Sequence, residues 1–376
     1  MKKMLMTASV PSMIGQFNMS NIRILTELGY EVHVACDFND TSVWTEPRIK
    51  DFEKELDSLG VKRHQVDFSR NPIHVRKNLR SLKQINEILK KQHFSFIHCH
   101  TPIAGVISRI AARRNKVKVI YTAHGFHFYK GAPIKNWIIY FPIEKWLSKY
   151  TDVLITINRE DYDRAINKLK AKRTFYIPGV GIDITHFAPQ KDQIKKNSKR
   201  KEIGIPEDAI LIISVGELSL RKNHQVVVEA LNSINNSKIY YVIVGRGELS
   251  EYLIKIDKTG RLKLLGYRAD VADLLCCSDL FIFPSIQEGL PVALMEAMAS
   301  GLPVICSRIR GNTDLVSDNN LLFEPRNVKE VNRVVENVLE NGLSLNMQNV
   351  EKMRDFDISV IDASMKSIYV ASNILV

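Results

Sequence analysis

Long apolar runs are missing from this 376-residue chain. No stretch approaches the roughly 18 uninterrupted apolar residues that a membrane-spanning helix needs, so no spanning segment is expected. The N-terminal sequence MKKMLMTASVPSM has a basic start but reaches a serine and a proline after only a few apolar residues. It therefore lacks the apolar centre of a secretory signal, and we expect a cytoplasmic protein.

Cysteine is also scarce, and its pattern excludes a disulfide framework. The chain has five cysteines, an odd number, and two of them are adjacent. Most lie inside apolar, strand-like segments, which is typical of buried thiols in a reducing compartment. The five are Cys36, Cys99, Cys276, Cys277 and Cys306.

Acidic residues are in deficit in the first half of the chain only. Residues 1–187 carry 30 lysines and arginines against 17 aspartates and glutamates, whereas residues 188–376 carry 23 against 24. A basic half joined to a neutral half predicts that one half meets an anionic surface while the other has a different task. The interleaved aromatic and basic residues of a base-stacking surface are not evident, so we expect no nucleic acid partner.

What the sequence does contain is a globular composition and a regular alternation of β-rich runs with helix-length segments. Its 45% apolar and 25% charged residues belong to the folded class, and its length predicts two domains. Continuous apolar strands that alternate with helices predict parallel sheets covered on both faces. The predicted fold class is therefore α/β, with two doubly wound domains. The strand-like runs are KMLMTASV, EVHVACD, FSFIHCH, VKVIYTAH, VLITIN and TFYIP in the first half, and ILIISVG, IYYVIVG, LKLLG, LFIFPS, PVICS and LLFEP in the second.

The domain boundaries are predicted from composition. Residues 188–208 are polar, lysine-rich and free of apolar periodicity, which indicates a linker or a first exposed excursion of the second domain. Near the end of the chain, Ile361, Met365 and Ile368 have helical spacing. The expected segments are a basic Rossmann-like domain at 1–187, a second Rossmann-like domain at 188–355 and a closing helix at 356–376.

The most informative stretch is PSIQEGLPVALMEAMASGLPVI, which holds two glutamates eight positions apart. Pro291 suits the first turn of a helix, so Glu288 is expected in the loop before that helix and Glu296 about a turn and a half inside it. Gly289 and Leu290 offer free backbone N–H groups at the positive end of the helix. Such a position is a natural seat for a phosphate.

An acid beside a phosphate seat is expected to bind a neutral group, and the hydroxyls of a sugar fit this description. A carboxylate accepts charge-assisted hydrogen bonds from vicinal hydroxyls, each worth about 1.5 to 3 kcal/mol. A ligand with hydroxyl-bearing rings on both sides of a diphosphate would use both acids. The stretch therefore predicts a nucleotide sugar, although a helix start of this kind also occurs for capping alone.

Together with further segments, this stretch resembles the donor-site motif of the retaining glycosyltransferases of family 4. The resemblance extends over nearly the whole chain. It implies the GT-B fold, in which two Rossmann-like domains face each other and a C-terminal helix returns to the N-terminal domain. SVGELSLRKNH resembles the strand and loop that bring a basic residue to the diphosphate, and IVGRGE resembles the Gly-x-Gly turn that follows. LLGYRADVADLLCCSDLFIFPS resembles the segment that lines the nucleobase, and YIPGVGIDITHF resembles the interdomain element. IHCHTPIAGVISRIAARR and IYTAHGFHFYKGAPIKNWIIYFPIEKW resemble the subgroup that builds bacterial capsule and exopolysaccharide repeat units.

The resemblance also implies roles for particular residues. Glu288 would contact the hydroxyls of the transferred sugar, Glu296 the ribose diol and Lys222 the diphosphate. His124 matches the histidine that approaches the donor sugar from the N-terminal domain. The other residues assigned to substrate binding are Gly289, Leu290, Gly216, Val271 in the nucleobase segment, and Gly15 on the first strand-to-helix loop, where a glycine lets the backbone come close to the diphosphate.

Two positions depart from the pattern of the family. The residue after Gly216 is usually an arginine, and here it is Glu217. The second basic contact to the diphosphate is therefore expected from Arg221 or Arg268. The interdomain asparagine of the family is also absent, replaced within GVG.

The chemistry of the leaving group fits these roles. A departing diphosphate gains charge in the transition state, so Lys222 and a helix N-terminus stabilise it. The resemblance implies a front-face retaining mechanism in which the departing phosphate helps to deprotonate the acceptor, and not the acid and nucleophile pair of a glycosidase. No metal and no cofactor are expected. His98 and His100 share one face of a strand and could form a metal pair, but without a third ligand at suitable spacing we favour strand-end or acceptor-site polar residues.

Two segments of the basic half predict contact with a membrane. Residues 74–92 place basic side chains mostly away from an apolar stripe, which indicates either a solvated helix face or a cationic surface for anionic lipid. KNWIIYFPIEKWLSK carries Trp137 and Trp146 between lysines, as interfacial segments do. An acceptor carried on polyprenyl diphosphate would explain why both segments contact a membrane. We therefore expect peripheral association with the inner face of the membrane. The stripe consists of Val75, Leu79, Leu82, Ile85 and Leu89.

The predicted function is a metal-independent, retaining glycosyltransferase that moves a hexose or N-acetylhexosamine from a nucleotide sugar, expected to be a UDP-sugar, to a lipid-linked saccharide. The alternatives are a nucleotide-sugar 2-epimerase or phosphorylase of the same fold, and a non-catalytic nucleotide-sugar-binding scaffold. An oxidoreductase is disfavoured because ASVPSMIGQ stands at the first strand in place of the dinucleotide fingerprint.

Overall fold

The computed structural model describes residues 1–190 and 192–371, and the chain divides into two compact units. The first unit comprises residues 1–180 and the C-terminal segment that starts at Ser359, and the second comprises residues 181–358. These divisions differ by a few residues from the boundaries that composition suggested. The boundaries shift because Ile182 forms an isolated parallel bridge with Asp357. This bridge pairs the first and last segments of the second unit.

Seven parallel strands form the sheet of the first unit, and continuous apolar runs explain most of them. The strands are β1 (Lys2–Thr7), β2 (Tyr30–Cys36), β3 (Lys62–Gln65), β4 (Phe94–Cys99), β5 (Lys118–Ala123), β6 (Val153–Thr156) and β7 (Arg173–Tyr176). Their order across the sheet is β3-β2-β1-β4-β5-β6-β7, so the order reverses between β1 and β4. The sequence did not predict β3, because its residues KRHQ are polar and mostly exposed at the edge of the sheet.

Helices alternate with these strands and cover both faces of the sheet with apolar side chains. They are α1 (Pro11–Phe17), α2 (Met19–Glu27), α3 (Glu46–Ser58), α4 (Val75–Lys91), α5 (Pro102–Asn115), α6 (Ile134–Ser148) and α7 (Arg159–Lys168). One core contains residues of α1, α2 and α3, and a second core on the other face contains residues of α4, α5 and α6. Proline begins both α1 and α5, where its missing N–H is not needed.

The second unit repeats the plan with six parallel strands, each of which coincides with a predicted run. They are β8 (Ile210–Val215), β9 (Ile239–Val244), β10 (Leu262–Gly266), β11 (Leu280–Phe283), β12 (Val304–Ser307) and β13 (Leu322–Phe323). Their order is β10-β9-β8-β11-β12-β13, with the reversal between β8 and β11. The helices are α8 (Gln193–Glu202), α9 (His224–Leu231), α10 (Ser250–Ile256), α11 (Val271–Cys276), α12 (Val292–Ala299), α13 (Asn312–Leu315), α14 (Val328–Glu340) and α15 (Met347–Met353), with short 3-10 turns at Asn319–Leu321 and Arg354–Phe356.

Residues 188–208, predicted to be a linker or a first exposed excursion of the second domain, contain the helix α8, so the segment is not a plain linker. Asp192 caps the N-terminus of this helix by accepting hydrogen bonds from the backbone N–H groups of Ile194 and Lys195. On its inner side, Arg200 is buried and donates to Asp279 at 2.6 Å. A helix anchored by a charged residue leaves no apolar periodicity in the sequence, which is why the pattern did not predict it.

The last described helix, α16 (Ile358–Ala371), contributes Ile361, Met365, Ile368 and Tyr369 to the core of the first unit. Within the described residues, no helix combines the length and the apolar character needed to cross a bilayer. The prediction of two doubly wound α/β domains is confirmed by the two parallel sheets.

Candidate functional site

The strand order of the second unit reverses between β8 and β11, and ligands of such sheets bind beside the carboxyl ends of the strands at that point. Two loops begin there, one after each strand, and they are tied together. Asn223 adopts a left-handed conformation and donates from Nδ2 to the carbonyl of Pro284 at 3.0 Å. The N–H of Ile286 donates to the carbonyl of Arg221 at 2.9 Å. Residues far apart in the sequence are thereby fixed on one edge of the sheet.

Two cations from the first loop meet one acid from the second. Lys222 Nζ lies 2.8 Å from Glu288 Oε1, and Arg221 Nη1 lies 2.9 Å from the same oxygen. Burial alone would raise the pKa of Glu288, but the charges of Lys222 and Arg221 outweigh it and hold that pKa below its usual value. The carboxylate is therefore ionised at neutral pH, and the cluster carries one net positive charge.

The packing around Lys222 fixes the direction of its side chain. Its ammonium lies 4.7 Å from the ring centroid of Phe283, a cation–π contact. Its aliphatic stem passes Gly216, where a Cβ would lie 3.3 Å from Cδ and Cε of the lysine. Glycine at this position therefore leaves room for the lysine to reach the edge of the sheet.

The Gly-x-Gly turn after β9 packs against the loop that follows β8. A Cβ on Gly245 would overlap the carbonyl of Gly216, and a Cβ on Gly247 would overlap the carbonyl of Leu218. The N–H of Leu218 donates to the carbonyl of Arg246 at 3.0 Å. The two glycines are needed here for close backbone contact, which the sequence motif alone did not explain.

A third loop, after β12, completes the arrangement and was missed by the sequence reasoning. Arg310 is buried and donates from Nε to the carbonyl of Glu288 at 3.0 Å. Gly311 has a φ of 79°, and a Cβ there would overlap the carbonyl of Gly289. The available signal was the position of this arginine and glycine just beyond the predicted strand PVICS. Arg310 fixes the backbone of the loop that carries Glu288.

The stretch that joins β11 to α12 matches the predicted loop and helix start. The helix begins at Val292, and Pro291 precedes it as the cap residue. Within residues 1–190 and 192–371, no group accepts a hydrogen bond from the backbone N–H of Gly289 or Leu290. Two amides without acceptors at the start of a helix are suited to an anion.

Glu296 lies in α12 and differs from Glu288 in its surroundings. In the described part of the chain its carboxylate has neither a hydrogen bond nor an ion pair. Burial raises its pKa from 4.5 to about 7. The residue is partly buried, so its carboxylate is poorly solvated and has no donor from the protein, and hydroxyl groups of a ligand could supply donors.

Buried polar atoms without partners gather at the same edge. Among the described residues, eight buried side-chain atoms lack a hydrogen-bond partner, and five of them follow β8, β11 or β12. Native proteins leave few such groups unpaired, so this concentration favours a ligand site. The five residues are Ser219, His224, Gln225, Ser285 and Asn312.

Arg268 is not part of the cation cluster, so the geometry favours Arg221 for the second basic contact, and this choice stays a prediction. Arg268 follows β10, the strand at one edge of the sheet, and donates from Nε to Asp270 at 2.7 Å. Its Nη2 also bonds to Glu202 in α8. Arg221, the other candidate, shares Glu288 with Lys222. Val271 begins α11 and is partly exposed, next to this ion-pair group.

In the first unit, polar residues gather at the corresponding reversal between β1 and β4. His124 follows β5, and its Nε2 lies 3.3 Å from Nδ1 of His100, which follows β4. Burial lowers the pKa of His124 to about 4, and burial followed by its histidine neighbours lowers the pKa of His100 far below its usual value. Both rings are therefore neutral at neutral pH. They line a small cavity together with Asn18, Asn21 and Asp362.

His98 and His100 do not form a metal pair. His98 has both ring nitrogens engaged, Nδ1 with Tyr369 Oη at 2.9 Å and Nε2 with Thr122 Oγ1 at 2.8 Å. Across the residues that the structure describes, no group of three or more histidine, cysteine or acidic side chains could hold a metal ion. Metal independence of the reaction stays a prediction.

The predicted position of Gly15 on a strand-to-helix loop was wrong. Gly15 lies inside α1. A Cβ at this position would collide with the ring of Trp44 and would lie 3.0 Å from Cε2 of Phe52. The glycine is therefore required by packing between α1 and the aromatic side chains beside α3.

Comparison with known proteins adds an independent line of observation. Residues 19–185 match the model of Glycosyltransferase Family 4, and residues 195–356 match that of Glycosyl transferases group 1. EpsD of Bacillus subtilis (strain 168) is 33% identical over 327 residues, which cover 84% of this chain and 81% of EpsD. The chain belongs to glycosyltransferase family 4. The predicted family is thus confirmed.

A second relative agrees with this membership, and a solved structure shares the fold. The UDP-Gal:alpha-D-GlcNAc-diphosphoundecaprenol alpha-1,3-galactosyltransferase of Escherichia coli is 32% identical over 314 residues, covering 76% of this chain and 80% of that enzyme. The crystal structure of Anabaena Alr3699/HepE in complex with UDP has a TM-score of 0.75 at 18% identity, covering 99% of this chain and 100% of that chain. That likeness supports the GT-B fold.

The matched ranges contain most of the predicted site residues of this glycosyltransferase. Lys222, Glu288 and Glu296 lie within residues 195–356, and His124 lies within residues 19–185. Gly15 lies outside both ranges. The individual roles of these residues stay predictions.

Proposed function

We propose that this glycosyltransferase moves a hexose or N-acetylhexosamine from a UDP-sugar to a lipid-linked saccharide in bacterial capsule or exopolysaccharide synthesis, with retention of the anomeric configuration and without a metal. The observation that carries the proposal is the site between β8 and β11. There, two cations, two backbone amides without acceptors and a partnerless Glu296 lie in neighbouring loops and the helix that follows. These groups are complementary to a diphosphate flanked by hydroxyl-bearing rings.

The donor would enter by exchange of partners. In the free protein, the carboxylate of Glu288 holds the anionic position beside Lys222 and Arg221. When the diphosphate takes over these cations, Glu288 becomes free to accept hydrogen bonds from the hydroxyls of the transferred sugar. Glu296 would accept hydrogen bonds from the hydroxyl groups of the ribose, which supply its missing donors. Val271 is assigned to the nucleobase side.

The reaction would then depend on charge stabilisation of the leaving group. Breaking the glycosidic bond places charge on the diphosphate, and Lys222, Arg221 and the amides of Gly289 and Leu290 stabilise that charge. The departing phosphate oxygen would take the proton of the acceptor hydroxyl on the same face, which gives retention. The neutral ring of His124 is suited to a hydrogen bond with a sugar hydroxyl, because burial keeps the imidazole uncharged.

The proposal of a UDP-sugar and a lipid-linked acceptor is supported by relatives. The Escherichia coli relative is named for a UDP-galactose donor and a diphosphoundecaprenol-linked acceptor, and the structure of HepE contains UDP. The basic first half of the chain fits an anionic membrane surface. We therefore propose that the protein works at the inner face of the cell membrane as a peripheral enzyme that needs no cofactor.

The decisive experiment screens nucleotide sugars by mass spectrometry, with membrane lipid extract as the source of acceptor. The proposal predicts transfer of a hexose or N-acetylhexosamine to an extracted lipid, undiminished by a metal chelator. Donor consumption without an acceptor, or a requirement for free phosphate, would instead indicate an epimerase or a phosphorylase. Binding of UDP without turnover on any extract would indicate a non-catalytic scaffold.

The assignment of the ribose contact has its own test. Glu296→Ala is expected to weaken UDP binding measured by calorimetry, because the diol loses its acceptor. An unchanged affinity would contradict the assignment to Glu296, while the transferase proposal itself would stand on the lipid assay.

A further inference from the structure

Helix α6 exposes an apolar face that the fold of the first unit does not cover. Ile138 is 69% exposed and Ile139 is 51% exposed. The opposite side of the helix packs into the core, where Leu147 is fully buried and Trp137 lies against Phe128 and Phe141. A helix that is apolar on all sides is normally buried, so the outer face of α6 needs a partner. The other exposed apolar residues on α6 are Ile134, Ile143 and Trp146.

The exposed charges of α6 itself have one sign, whereas α7 places Glu160 and Asp163 beside Lys145 together with Arg164 and Lys168. Between residues 131 and 150 the only acid is Glu144, which is buried and accepts from Arg109 Nη2 at 2.9 Å. Exposed lysines lie at both ends of the face, Lys135 near the start of α6 and Lys145 and Lys149 near its end. The surface is thus apolar in the centre and cationic at its ends.

A second surface with the same chemistry lies at the start of α4. The predicted apolar stripe of this helix packs only in its second half, where Ile85 and Leu89 are buried. Val75 and Leu79 are each 59% exposed, and Ile73 just before the helix is 79% exposed. The basic residues among them are exposed as well: Arg76, Lys77, Arg80 and Lys83. Three of them also have an acidic partner, Lys77 in Asp37 at 2.9 Å, Arg80 in Asp67 at 3.5 Å and Lys83 in Glu87 at 4.0 Å, so this surface is less cationic than the ends of α6.

The two surfaces belong to the same face and the same edge of the first sheet. Residues of α4, α5 and α6 share one core cluster, so these helices cover one face of the sheet. Each follows the carboxyl end of one parallel strand and precedes the amino end of another, so the helices run antiparallel to the strands. The starts of α4 and α6 therefore lie toward the carboxyl edge, where His100 and His124 are found.

We propose that the outer face of α6 and the exposed start of α4 form a docking surface for an anionic lipid bilayer, with their isoleucine, valine, leucine and Trp146 side chains inserted between the headgroups. Charge complementarity selects this occupant, because a bilayer with anionic headgroups matches an apolar centre with lysines at its ends. A 15-residue helix is about 22 Å long, too short to cross the roughly 30 Å hydrocarbon core, so α6 lies along the membrane surface.

The biological role of this docking surface rests on the proposed function, in which the acceptor is linked to a lipid. Docking through these helices would place the sheet face that α4, α5 and α6 cover against the headgroup layer, with the carboxyl edge that holds His100 and His124 beside that layer. That is the layer in which the diphosphate of a lipid-linked acceptor lies. Trp137, predicted from the sequence as an interfacial anchor, faces the core and is not assigned to the surface, whereas Trp146 is 43% exposed.

Vesicle co-sedimentation of the full chain tests the proposal. The vesicles contain equal parts of phosphatidylcholine and phosphatidylglycerol, with pure phosphatidylcholine as the neutral comparison. The double variant Ile138→Ser with Ile139→Ser is expected to lower binding to the anionic vesicles by about tenfold or more. The double variant Lys135→Glu with Lys149→Glu is expected to abolish the preference for the anionic vesicles at low salt.

The matched control removes two isoleucines of similar exposure from the second unit. Ile194 is 83% exposed and Ile254 is 62% exposed, and Ile194→Ser with Ile254→Ser is expected to bind vesicles as the unchanged protein does. Equal binding by all three proteins would overturn the proposal, as would equal loss in the control. Light scattering measures the oligomeric state of the same proteins. If the unchanged protein forms a dimer that only the Ile138→Ser with Ile139→Ser variant breaks, and does not bind vesicles, the proposal is overturned and the occupant of the surface is a second copy of the chain.

Failure of the docking surface and failure of the proposed function give different results. The docking variants are expected to keep full transfer to an acceptor extracted into detergent, because no residue of α6 or α4 is assigned to the site. Vesicle binding without any sugar transfer would refute the proposed function and leave the docking surface intact. Transfer on vesicles that is indifferent to Ile138→Ser with Ile139→Ser would refute the docking surface alone.

Discussion

Lys222 Nζ lies 2.8 Å from Oε1 of Glu288, across 66 positions of sequence. The pair joins the loop after β8 to the loop after β11 at the point where the strand order reverses. Because Arg221 shares the same oxygen, the acid holds both cations in the place where an anionic ligand would need them.

The first prediction concerns the charge of Glu288. In Glu288→Gln, the two cations lose a competing carboxylate while the sugar hydroxyls lose a charged acceptor. We expect turnover to fall about 100-fold or more, whereas affinity for UDP does not fall. Single-turnover kinetics and calorimetry separate the two effects, with Glu296→Ala as the contrasting variant that loses UDP affinity. A Glu288→Gln variant with near-normal turnover would contradict the assigned role.

The second prediction distinguishes the two arginines. Arg221→Ala removes a partly exposed cation from the site and is expected to weaken UDP binding about three- to tenfold. Arg268→Ala leaves Asp270 and Glu202 with Lys199, which lies 2.8 Å from both, and is expected to leave UDP binding unchanged. The reverse order of the two affinities would show that Arg268, and not Arg221, serves the diphosphate.

The third prediction concerns pH. The pKa of Glu296 is about 7 in the free protein, and only its ionised form accepts hydrogen bonds from both hydroxyl groups of a diol. At pH 6 about one tenth of the molecules would have this acid ionised, so affinity is expected to be about tenfold weaker than at pH 8. UDP-glucose is the suitable ligand, because it has no phosphate group that titrates in this range. Glu296→Gln should remove the dependence, and a pH profile that survives this substitution would assign it to another group.

The fourth prediction concerns stability. The folded-state pKa of Glu296 is raised above its usual value of 4.5, so its protonated form favours the fold and this contribution is lost as pH rises from about 4.5 through about 7. Glu296→Gln is therefore expected to raise the free energy of unfolding at pH 8 by about 1 to 3 kcal/mol and to change it little at pH 4. Urea denaturation at both pH values measures this. The exposed Glu336→Gln serves as the control and should show no gain at either pH.

The fifth prediction concerns Gly15. A methyl group at this position meets the ring of Trp44, so Gly15→Ala is expected to lower the free energy of unfolding by about 1 to 3 kcal/mol. Combining it with Trp44→Leu should restore part of the loss. UDP affinity is expected to stay unchanged, because the glycine serves packing. Normal stability together with weakened UDP binding would favour a role for this glycine at the diphosphate.

Local features of the site could be predicted from the sequence. Pro291 and the small residues after it determine a helix start, and Glu288 and Glu296 fall before and within that helix through spacing alone. The pairing of Lys222 with Glu288 could not be predicted, because it depends on which strands are neighbours. The role of Arg310 was missed for the same reason, because this residue lies in a third loop and donates a hydrogen bond to the carbonyl of Glu288.

The sequence by itself determined the described strands other than β3, because continuous apolar runs of this length are stable only when buried within a parallel sheet. Only the tertiary structure decided burial and side-chain packing, which depend on neighbours distant in the chain. It raised the pKa of Glu296, made Gly15 a packing residue, turned residues 193–202 into a helix through the buried Arg200, and left the outer side of α6 exposed. Apolar periodicity records which residues can be buried, but the contacts of the folded chain determine which of them are.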